Sequence, residues 1–173
     1  GAVLADAALA GWDGFGVVVQ AYGRRAGAVI DHLADQAGRL NRRIMVRLVK
    51  GAYLEPASIA FPNKADVDLN FYKLAVRLMQ KDAVPAGARA VFGTHDSALH
   101  KRIAEAASHL DRKQFEFHML YGIRAEEQKR LIEQGFTVFV LISYGEYWFP
   151  WYMRRLAERP ANVWFVVKTM FQA

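Results

Sequence analysis

Cysteine is absent from this 173-residue sequence, and other signals that would narrow its chemistry are absent as well. Without cysteine, the chain has no disulfides, no thiolate metal site and no cysteine nucleophile. No apolar run approaches the roughly 18 residues that a membrane-spanning helix needs. The first residue is Gly, and no basic start followed by an apolar segment marks a signal peptide, so we expect a piece of a longer chain.

A glycine-rich phosphate-binding loop is also missing. The first expected strand, at residues 16–22, is not followed by the G-x-G-x-x-G pattern of dinucleotide-binding domains, which disfavours a Rossmann domain. The same absence counts against a further alternative, an unrelated barrel enzyme that acts on phosphorylated substrates.

The net charge of +6 is compatible with an anionic partner such as nucleic acid or a membrane surface. The basic residues, however, come in scattered pairs with acidic residues among them, and no nucleic-acid-binding motif accompanies them. We interpret the charge as dispersed and solvated, and expect no nucleic acid partner. The apolar fraction of 53% and the length indicate one globular domain, residues 1–173, with a substantial core.

Strands and helices are predicted to alternate along the chain. Apolar runs predict five strands, at residues 16–22, 44–50, 88–92, 115–120 and 138–142. Helices are predicted at residues 1–10, 28–40 and 66–81, over residues 99–110, around residue 131 and at residues 148–159. Residues 163–167 are predicted as one more strand or a packing tail. Strict alternation of this kind favours a parallel sheet with right-handed crossovers.

Polar and aromatic residues collect where the predicted strands end, which is typical of (β/α)₈ barrels. Such a barrel needs about 250 residues, so five units in this chain indicate a partial one. The predicted fold class is therefore α/β, a partial (β/α)₈ TIM-type barrel with about five βα units.

The most informative segment of the sequence is Val-Arg-Leu-Val-Lys-Gly-Ala-Tyr, residues 46–53, in which two cations interrupt an apolar run. Alternation along a strand places Met45, Arg47 and Val49 on the inner face, and puts Lys50 on the other face. An inward guanidinium among apolar neighbours needs a carboxylate, a phosphate or a polarised heterocycle as its partner. A structural ion pair is the alternative interpretation of Arg47.

The same alternation assigns inward-facing side chains to every predicted strand. They are Val18, Gln20, Tyr22, Met45, Arg47, Val49, Ala90, Phe92, Thr94, Glu116, His118, Leu120, Thr137, Phe139 and Leu141. The polar members of this set suit a flat heteroaromatic ligand with hydrogen-bonding edges better than a packed core. His118 has the alternative interpretation of a hydrogen-bonded core histidine, and His95 and Asp96 are spaced wrongly for a metal site.

Six motifs occur in the order seen in proline dehydrogenase. They are Val-Val-Gln-Ala-Tyr (18–22), Arg-Leu-Val-Lys-Gly-Ala-Tyr (47–53), Thr-His-Asp (94–96), Phe-Glu-Phe (115–117), Leu-Tyr-Gly-Ile-Arg (120–124) and Arg-Arg-Leu-Ala-Glu-Arg-Pro-Ala-Asn (154–162). The chain resembles this family of FAD-dependent barrels, found alone or within the bifunctional proline utilisation enzyme, over essentially its whole length.

The resemblance implies oxidation of L-proline to Δ1-pyrroline-5-carboxylate, with hydride passed to FAD and electrons onward to membrane quinone. It implies a cytoplasmic protein that is peripheral at the inner membrane if bacterial. By resemblance, Arg47 lies beside the flavin N5 edge, where a cation stabilises the reduced ring. The other cofactor-binding positions implied are Gln20, Val49, Lys50, Gly51, Thr94, His95 and Glu158.

Substrate-binding positions are implied by the same resemblance. They are Ala52, Tyr53, Leu120, Leu141, Trp151, Arg154 and Arg155, with Arg47, Tyr53, Arg154 and Arg155 implied as catalytic. Arg154 and Arg155 resemble the pair that binds the proline carboxylate, a planar anion that suits guanidinium groups. Leu141 and Trp151 stand where the family pattern has tyrosine.

The early strands of the family, which carry a pocket lysine and aspartate, would lie upstream of Gly1. We therefore expect this chain to associate with itself or with the missing N-terminal half of the barrel. The alternative to an active enzyme is a folded but inactive partial barrel that binds flavin or self-associates.

Overall fold

In the part of the chain that the structure describes, five strands alternate with five helices. The computed structural model describes residues 2–51, 53, 55–80, 89–142 and 144–146. The strands are β1 (Phe15–Gln20), β2 (Ile44–Val49), β3 (Arg89–Gly93), β4 (Phe115–Leu120) and β5 (Thr137–Leu141). The helices are α1 (Ala2–Gly11), α2 (Ala26–Arg39), α3 (Lys64–Met79), α4 (Ser97–Ala106) and α5 (Ala125–Glu133). The predicted helix at 148–159 and the segment at 163–167 lie outside the described residues.

The strands form one parallel sheet in the order β1-β2-β3-β4-β5. Each strand therefore pairs with its neighbour in sequence, and α2 to α5 are the crossovers between them. This confirms the predicted α/β fold with a parallel sheet. Within the described ranges, β1 and β5 each pair with a single strand, so both are edges of the sheet. None of the described helices has the length and apolar character that crossing a membrane requires.

Helices cover one face of the sheet, which we call the helix face. Their buried residues recur at helical spacing, as at Ile30, Leu33 and Ala37 of α2 and at Phe71, Leu74 and Leu78 of α3. They pack against the alternate residues of β2 that are buried, which are Ile44, Val46 and Leu48. Burying each such side chain contributes about 1.5–3 kcal/mol. The core of the fold lies here, between helices and sheet.

The opposite side of the sheet, which we call the lumen face, carries Arg47, Glu116 and their register partners. The prediction for the third strand is wrong on this point. Register pairs Val46 with Ala90 and Leu48 with Phe92, so Ala90 and Phe92 belong to the helix face.

The β3 residues on the lumen face are Arg89, Val91 and Gly93. The physical reason is an aromatic cluster on the helix face, where the Phe92 ring centroid lies 5.6 Å from that of Phe115 and 6.0 Å from that of Phe117. Phe92 is fully buried in this cluster, which agrees with its place on the helix face and not on the open lumen face.

Candidate active site

The strand register arranges the lumen face in two layers. The lower layer contains Val18, Arg47, Val91, Glu116 and Thr137. The upper layer, nearer the carboxyl ends of the strands, contains Gln20, Val49, Gly93, His118 and Phe139. Apart from the third strand, the predicted inward-facing residues of these layers are where alternation put them. In α/β folds the carboxyl ends of the strands are where ligands bind.

Arg47 begins in the lower layer and reaches the upper one. A β-carbon built on Gly93 would lie 3.2 Å from Nη2 and 3.3 Å from Cζ of Arg47, so the guanidinium lies against the Gly93 backbone. Val49 borders the same space, since its Cγ1 would be 3.0 Å from that β-carbon. The missing side chain at Gly93 therefore makes room for the charged group, as close approach often requires.

Glu116 is buried in the lower layer and has two partners. Its carboxylate forms an ion pair with Arg89, and Oε2 lies 3.0 Å from Nε2 of His118. The His118 ring in turn lies 5.3 Å from the Phe139 ring. These contacts fix the orientation of His118 beside the Gly93 position, and they satisfy a carboxylate that would otherwise be costly to bury.

His95 follows β3 and is held by the end of β4. The backbone N–H of Leu120 donates to its Nε2 over 2.9 Å, so Nε2 carries no proton and the neutral ring carries its proton on Nδ1. Burial, together with the positive charges of His100, Arg124 and Arg47, lowers the pKa of His95 to about 4. At neutral pH His95 is therefore an uncharged hydrogen-bond donor through Nδ1.

Lys50 belongs to a cluster of four charges that we call the Lys50 cluster: Lys50, Lys64, Asp68 and Asp96. Lys50 Nζ lies 2.5 Å from Asp68 Oδ1 and 2.7 Å from Asp96 Oδ2, and its side chain is 11% exposed. Lys64 also pairs with Asp68 and lies 3.7 Å from Asp96. Burial raises the pKa of both carboxyls and is the largest single effect, but the hydrogen bonds and positive charges of Lys50 and Lys64 together outweigh it, so both pKa values lie below the usual range.

At the carboxyl end of the sheet, the Lys50 cluster joins the end of β2, the first turns of α3 and the segment after β3. Asp96 also caps α4, because its Oδ1 accepts from the backbone N–H groups of Ala98 and Leu99. Alternation correctly predicted that Lys50 leaves the lumen face. Its implied role in lining the cofactor stays a prediction.

Gly51 adopts a backbone conformation with φ of +105°, which favours glycine. The Tyr22 ring occupies the space of its absent side chain, with Cγ of Tyr22 2.6 Å from where a β-carbon would lie. Burial, with the nearby Glu55 and Tyr53, raises the pKa of Tyr22. Tyr53 follows Gly51 and is 57% exposed. The Tyr22–Gly51 contact therefore fixes the start of the loop that carries Tyr53.

The loop after β2 is also anchored farther along. Gly23 and Ala60 form an antiparallel bridge, and the N–H of Phe61 donates to the carbonyl of Tyr22 over 2.8 Å. The guanidinium of Arg24 lies over the Phe61 ring, 4.7 Å from its centroid. The connections after β1 and β2 therefore form one unit beside the lumen face.

The predicted substrate positions are only partly described. Leu120 and Leu141 pair across β4 and β5, and half of the Leu141 surface is exposed on the open side of the sheet. Thr94, a predicted cofactor-binding residue, is buried directly after β3. The remaining predicted site residues lie outside the described residues and stay predictions: Ala52, Trp151, Arg154, Arg155 and Glu158.

Sequence reasoning missed three features of this region: the opening at Gly93, the carboxylates around Lys50, and a buried histidine, His100, on α4. A signal existed for His100, because it stands next to Leu99 and three residues before Ile103, both on the buried side of a predicted helix. A polar side chain at such a position needs buried hydrogen-bond partners.

Comparison with known proteins decides the family. The family model for proline dehydrogenase matches residues 1–168. The chain belongs to the proline dehydrogenase family. It is 43% identical over 156 residues to proline dehydrogenase 1 of Bacillus subtilis, and the matched region covers 88% of this chain and 48% of that protein. It is 39% identical over 159 residues to proline dehydrogenase of Deinococcus radiodurans, covering 91% and 48%. The chain thus spans about half the length of these relatives.

Solved structures of the family agree with the fold. A crystal structure of a mutant proline utilization A (PutA) protein from Bradyrhizobium japonicum matches with a TM-score of 0.78 and 30% sequence identity, covering 91% of this chain and 18% of that one. The proline dehydrogenase domain of PutA is a TIM-type barrel, which confirms the predicted partial barrel.

Proposed function

We propose that this chain forms the later part of an FAD-dependent enzyme that oxidises L-proline to Δ1-pyrroline-5-carboxylate. The observation that supports this most directly is the Arg47 guanidinium against Gly93, in the same layer as Gln20, in a chain of the proline dehydrogenase family. FAD, when bound, would supply the acceptor for the hydride from proline, and its electrons would pass to a quinone.

The residues of the upper layer, together with His95 in the segment that follows β3, fit a flavin. A flavin ring is flat and presents donors and acceptors along its edges, so it needs a flat opening with polar groups beside it. Gly93 provides an opening without a side chain, Gln20 provides an amide, and His95 provides an Nδ1–H donor. Arg47 provides a fixed positive charge, which favours any negative charge that develops next to it.

The substrate end of the site is proposed from the positions around this opening. Tyr53 and Leu141 are exposed near the carboxyl ends of β2 and β5, and Leu141 contributes an apolar wall without a hydrogen-bonding group. Arg154 and Arg155 would bind the proline carboxylate, with Ala52 and Trp151 beside it and Glu158 orienting the pair or reaching the cofactor.

The partners follow from the same proposal. Proline is the substrate and quinone the electron acceptor, and electron transfer to a membrane quinone would bring the protein to the inner membrane as a peripheral protein. The edge strands β1 and β5 would pair with the N-terminal half of the barrel or with a second copy of this chain.

One spectroscopic experiment tests the proposal. The chain is purified after co-expression with the upstream half of the Bacillus subtilis relative, and its flavin absorbance is recorded before and after anaerobic addition of proline. We expect bound flavin, and we expect proline to bleach it, whereas glycine at the same concentration should leave the spectrum unchanged. Absence of flavin from both the complex and the chain alone would overturn the proposal.

A second candidate function is an inactive partial barrel that binds flavin or associates with itself. It is favoured by the open lumen face, where Val18 is 58% and Phe139 is 52% exposed. The same experiment separates the two. This candidate predicts either bound flavin that proline does not reduce or an assembled protein without flavin.

A further inference from the structure

His100 is a fully buried titratable residue to which the proposed function assigns no role. It lies on α4, with its ring packed edge-on against Phe117 at a centroid distance of 4.9 Å. Its Nδ1 is 2.8 Å from Oε1 of Glu127, and its Nε2 is 3.0 Å from the backbone carbonyl oxygen of Thr94. Both ring nitrogens are therefore engaged, one by α5 and one by the segment that leaves β3.

Both partners of the His100 ring accept hydrogen bonds. A backbone carbonyl can only accept. Glu127 is an ionised carboxylate, because Arg130 donates to it twice, from Nε to Oε2 over 2.8 Å and from Nη2 to Oε1 over 2.7 Å. These hydrogen bonds from Arg130, and the one from His100, hold the pKa of Glu127 below its usual range. His100 is therefore held between two acceptors, the carboxylate of Glu127 on α5 and the carbonyl of Thr94 after β3.

The Thr94 carbonyl held by His100 belongs to the peptide bond that joins Thr94 to His95. Thr94 Oγ1 accepts from the N–H of Asp96 over 3.2 Å, and Asp96 caps α4, so the three residues form one tight turn. His95 lies in the middle of this turn, with Nε2 accepting from Leu120 and Nδ1 carrying the proton. The direction of that donor depends on where the turn is held.

We propose that His100 is a positioning residue: its ring, held by Glu127, holds the Thr94 carbonyl and so directs the Nδ1–H of His95 toward the bound flavin. The inference rests on the proposed function for the identity of the ligand. The charged and titratable groups that face His100 are Glu127 and Arg130 from α5 and His95 from the turn after β3, while β4 presents the uncharged Phe117.

The test is Glu127→Gln, which keeps the size and an acceptor for Nδ1 but removes the charge. Glu126→Gln is the matched control, because Glu126 is the preceding residue on α5, is exposed and pairs with Lys129. Nitrogen NMR of the histidine rings at neutral pH should find the proton of His95 on Nδ1 in the unaltered chain. In Glu127→Gln the His100 ring should be held less firmly, so the His95 ring signals should shift and exchange of the Leu120 amide should accelerate about tenfold because its hydrogen bond to His95 is weakened.

The link to the flavin is tested by titration with FAD. The dissociation constant should rise about tenfold in Glu127→Gln and should not change in Glu126→Gln. The inference would be overturned by His95 signals and Leu120 exchange in Glu127→Gln that match those of Glu126→Gln. If the unaltered chain and its complex bind no FAD, the proposed function fails, and the ring and amide signals still decide whether His100 positions His95.

Discussion

The guanidinium of Arg47 lies directly against the backbone of Gly93 on the adjacent strand. Sequence reasoning singled out Arg47 but not Gly93, and the two residues together form one feature of the site. The charge of Arg47 can reach the upper layer of the lumen face only because β3 has no side chain at that position. Both residues should then be needed for flavin binding, one for its charge and the other for its lack of a side chain.

Gly93→Ala should displace the guanidinium without unfolding the sheet. The new methyl group would lie 3.0 Å from Val49 Cγ1 and 3.2 Å from Arg47 Nη2, so these groups must move by a few tenths of an ångström. We expect FAD affinity to fall about tenfold, or about 1.4 kcal/mol, as measured by fluorescence titration. Gly11→Ala is the control, since a β-carbon there meets no atom within 4 Å. Equal affinities of the two variants would contradict the prediction.

Arg47→Met should make the bound flavin harder to reduce. Methionine keeps much of the volume but removes the positive charge that favours the reduced ring. A loss of about 3 kcal/mol, the scale for one preorganised electrostatic contact, corresponds to a midpoint potential about 60 mV lower for a two-electron couple. Arg39→Met on the surface of α2 is the control, because Arg39 pairs with Asp35 in an exposed position. An unchanged potential in Arg47→Met would rule out this role.

The positions of the strands could be predicted from the sequence because buried parallel strands are short apolar runs, and all five lie within two residues of their predicted bounds. The faces of β3 could not. Ala90, Val91 and Phe92 are all buried, so this strand shows no alternation of burial, and only its register with β2 distinguishes its two faces. A strand covered on both sides gives no periodicity from which to assign an interior.

The candidate site was predictable only where a residue was out of place for its element. Arg47 was such a residue, a charge within a buried strand. The carboxylates that pair with Lys50 were not, because Asp68 and Asp96 belong to different elements and lie 18 and 46 residues from Lys50 in the chain. Contacts of this kind depend on how the helices pack, and neither spacing nor composition indicates them.

Lys50→Met should destabilise the fold, because it leaves two carboxylates close together without their shared, largely buried cation. We expect a loss of about 3 kcal/mol in the free energy of unfolding, measured with urea at neutral pH. Glu105→Gln is the control, since Glu105 forms an exposed pair with Lys101 and should change stability by less than about 1 kcal/mol. Equal unfolding midpoints would contradict the prediction.

The Lys50 cluster should also make stability depend on acid. The folded-state pKa values of Asp68 and Asp96 are lowered, so the unfolded chain binds more protons between the folded and unfolded values. Their contribution is complete above the unfolded pKa of about 3.9 and is lost as the pH falls through the folded values. Unfolding curves between pH 6 and pH 3 should therefore show a smaller acid-induced loss in Lys50→Met than in the unaltered chain.

Leu141→Tyr should alter substrate choice in the assembled enzyme. Leu141 is half exposed on the edge strand β5, so a larger side chain fits there without disturbing the core. A phenol hydroxyl would add a hydrogen-bonding group to a wall that is now apolar. We expect the ratio of kcat/KM for proline to that for 4-hydroxyproline to shift by about tenfold, or about 1.4 kcal/mol. An unchanged ratio would show that position 141 does not contact the substrate ring.

The chain alone should associate with itself. Five parallel strands cannot close at the tilt and shear that eight strands require, and β1 and β5 are both edges within the described residues. Val18 and Phe139, on these two strands, expose more than half of their surface, and no Lys or Pro within either strand protects its edge. Sedimentation equilibrium at micromolar concentration should give a mass above 19.5 kDa, and Val18→Lys should reduce it by placing a charge on the edge. A single 19.5 kDa species that binds no hydrophobic dye would show that the open face is stable in water, contrary to the prediction.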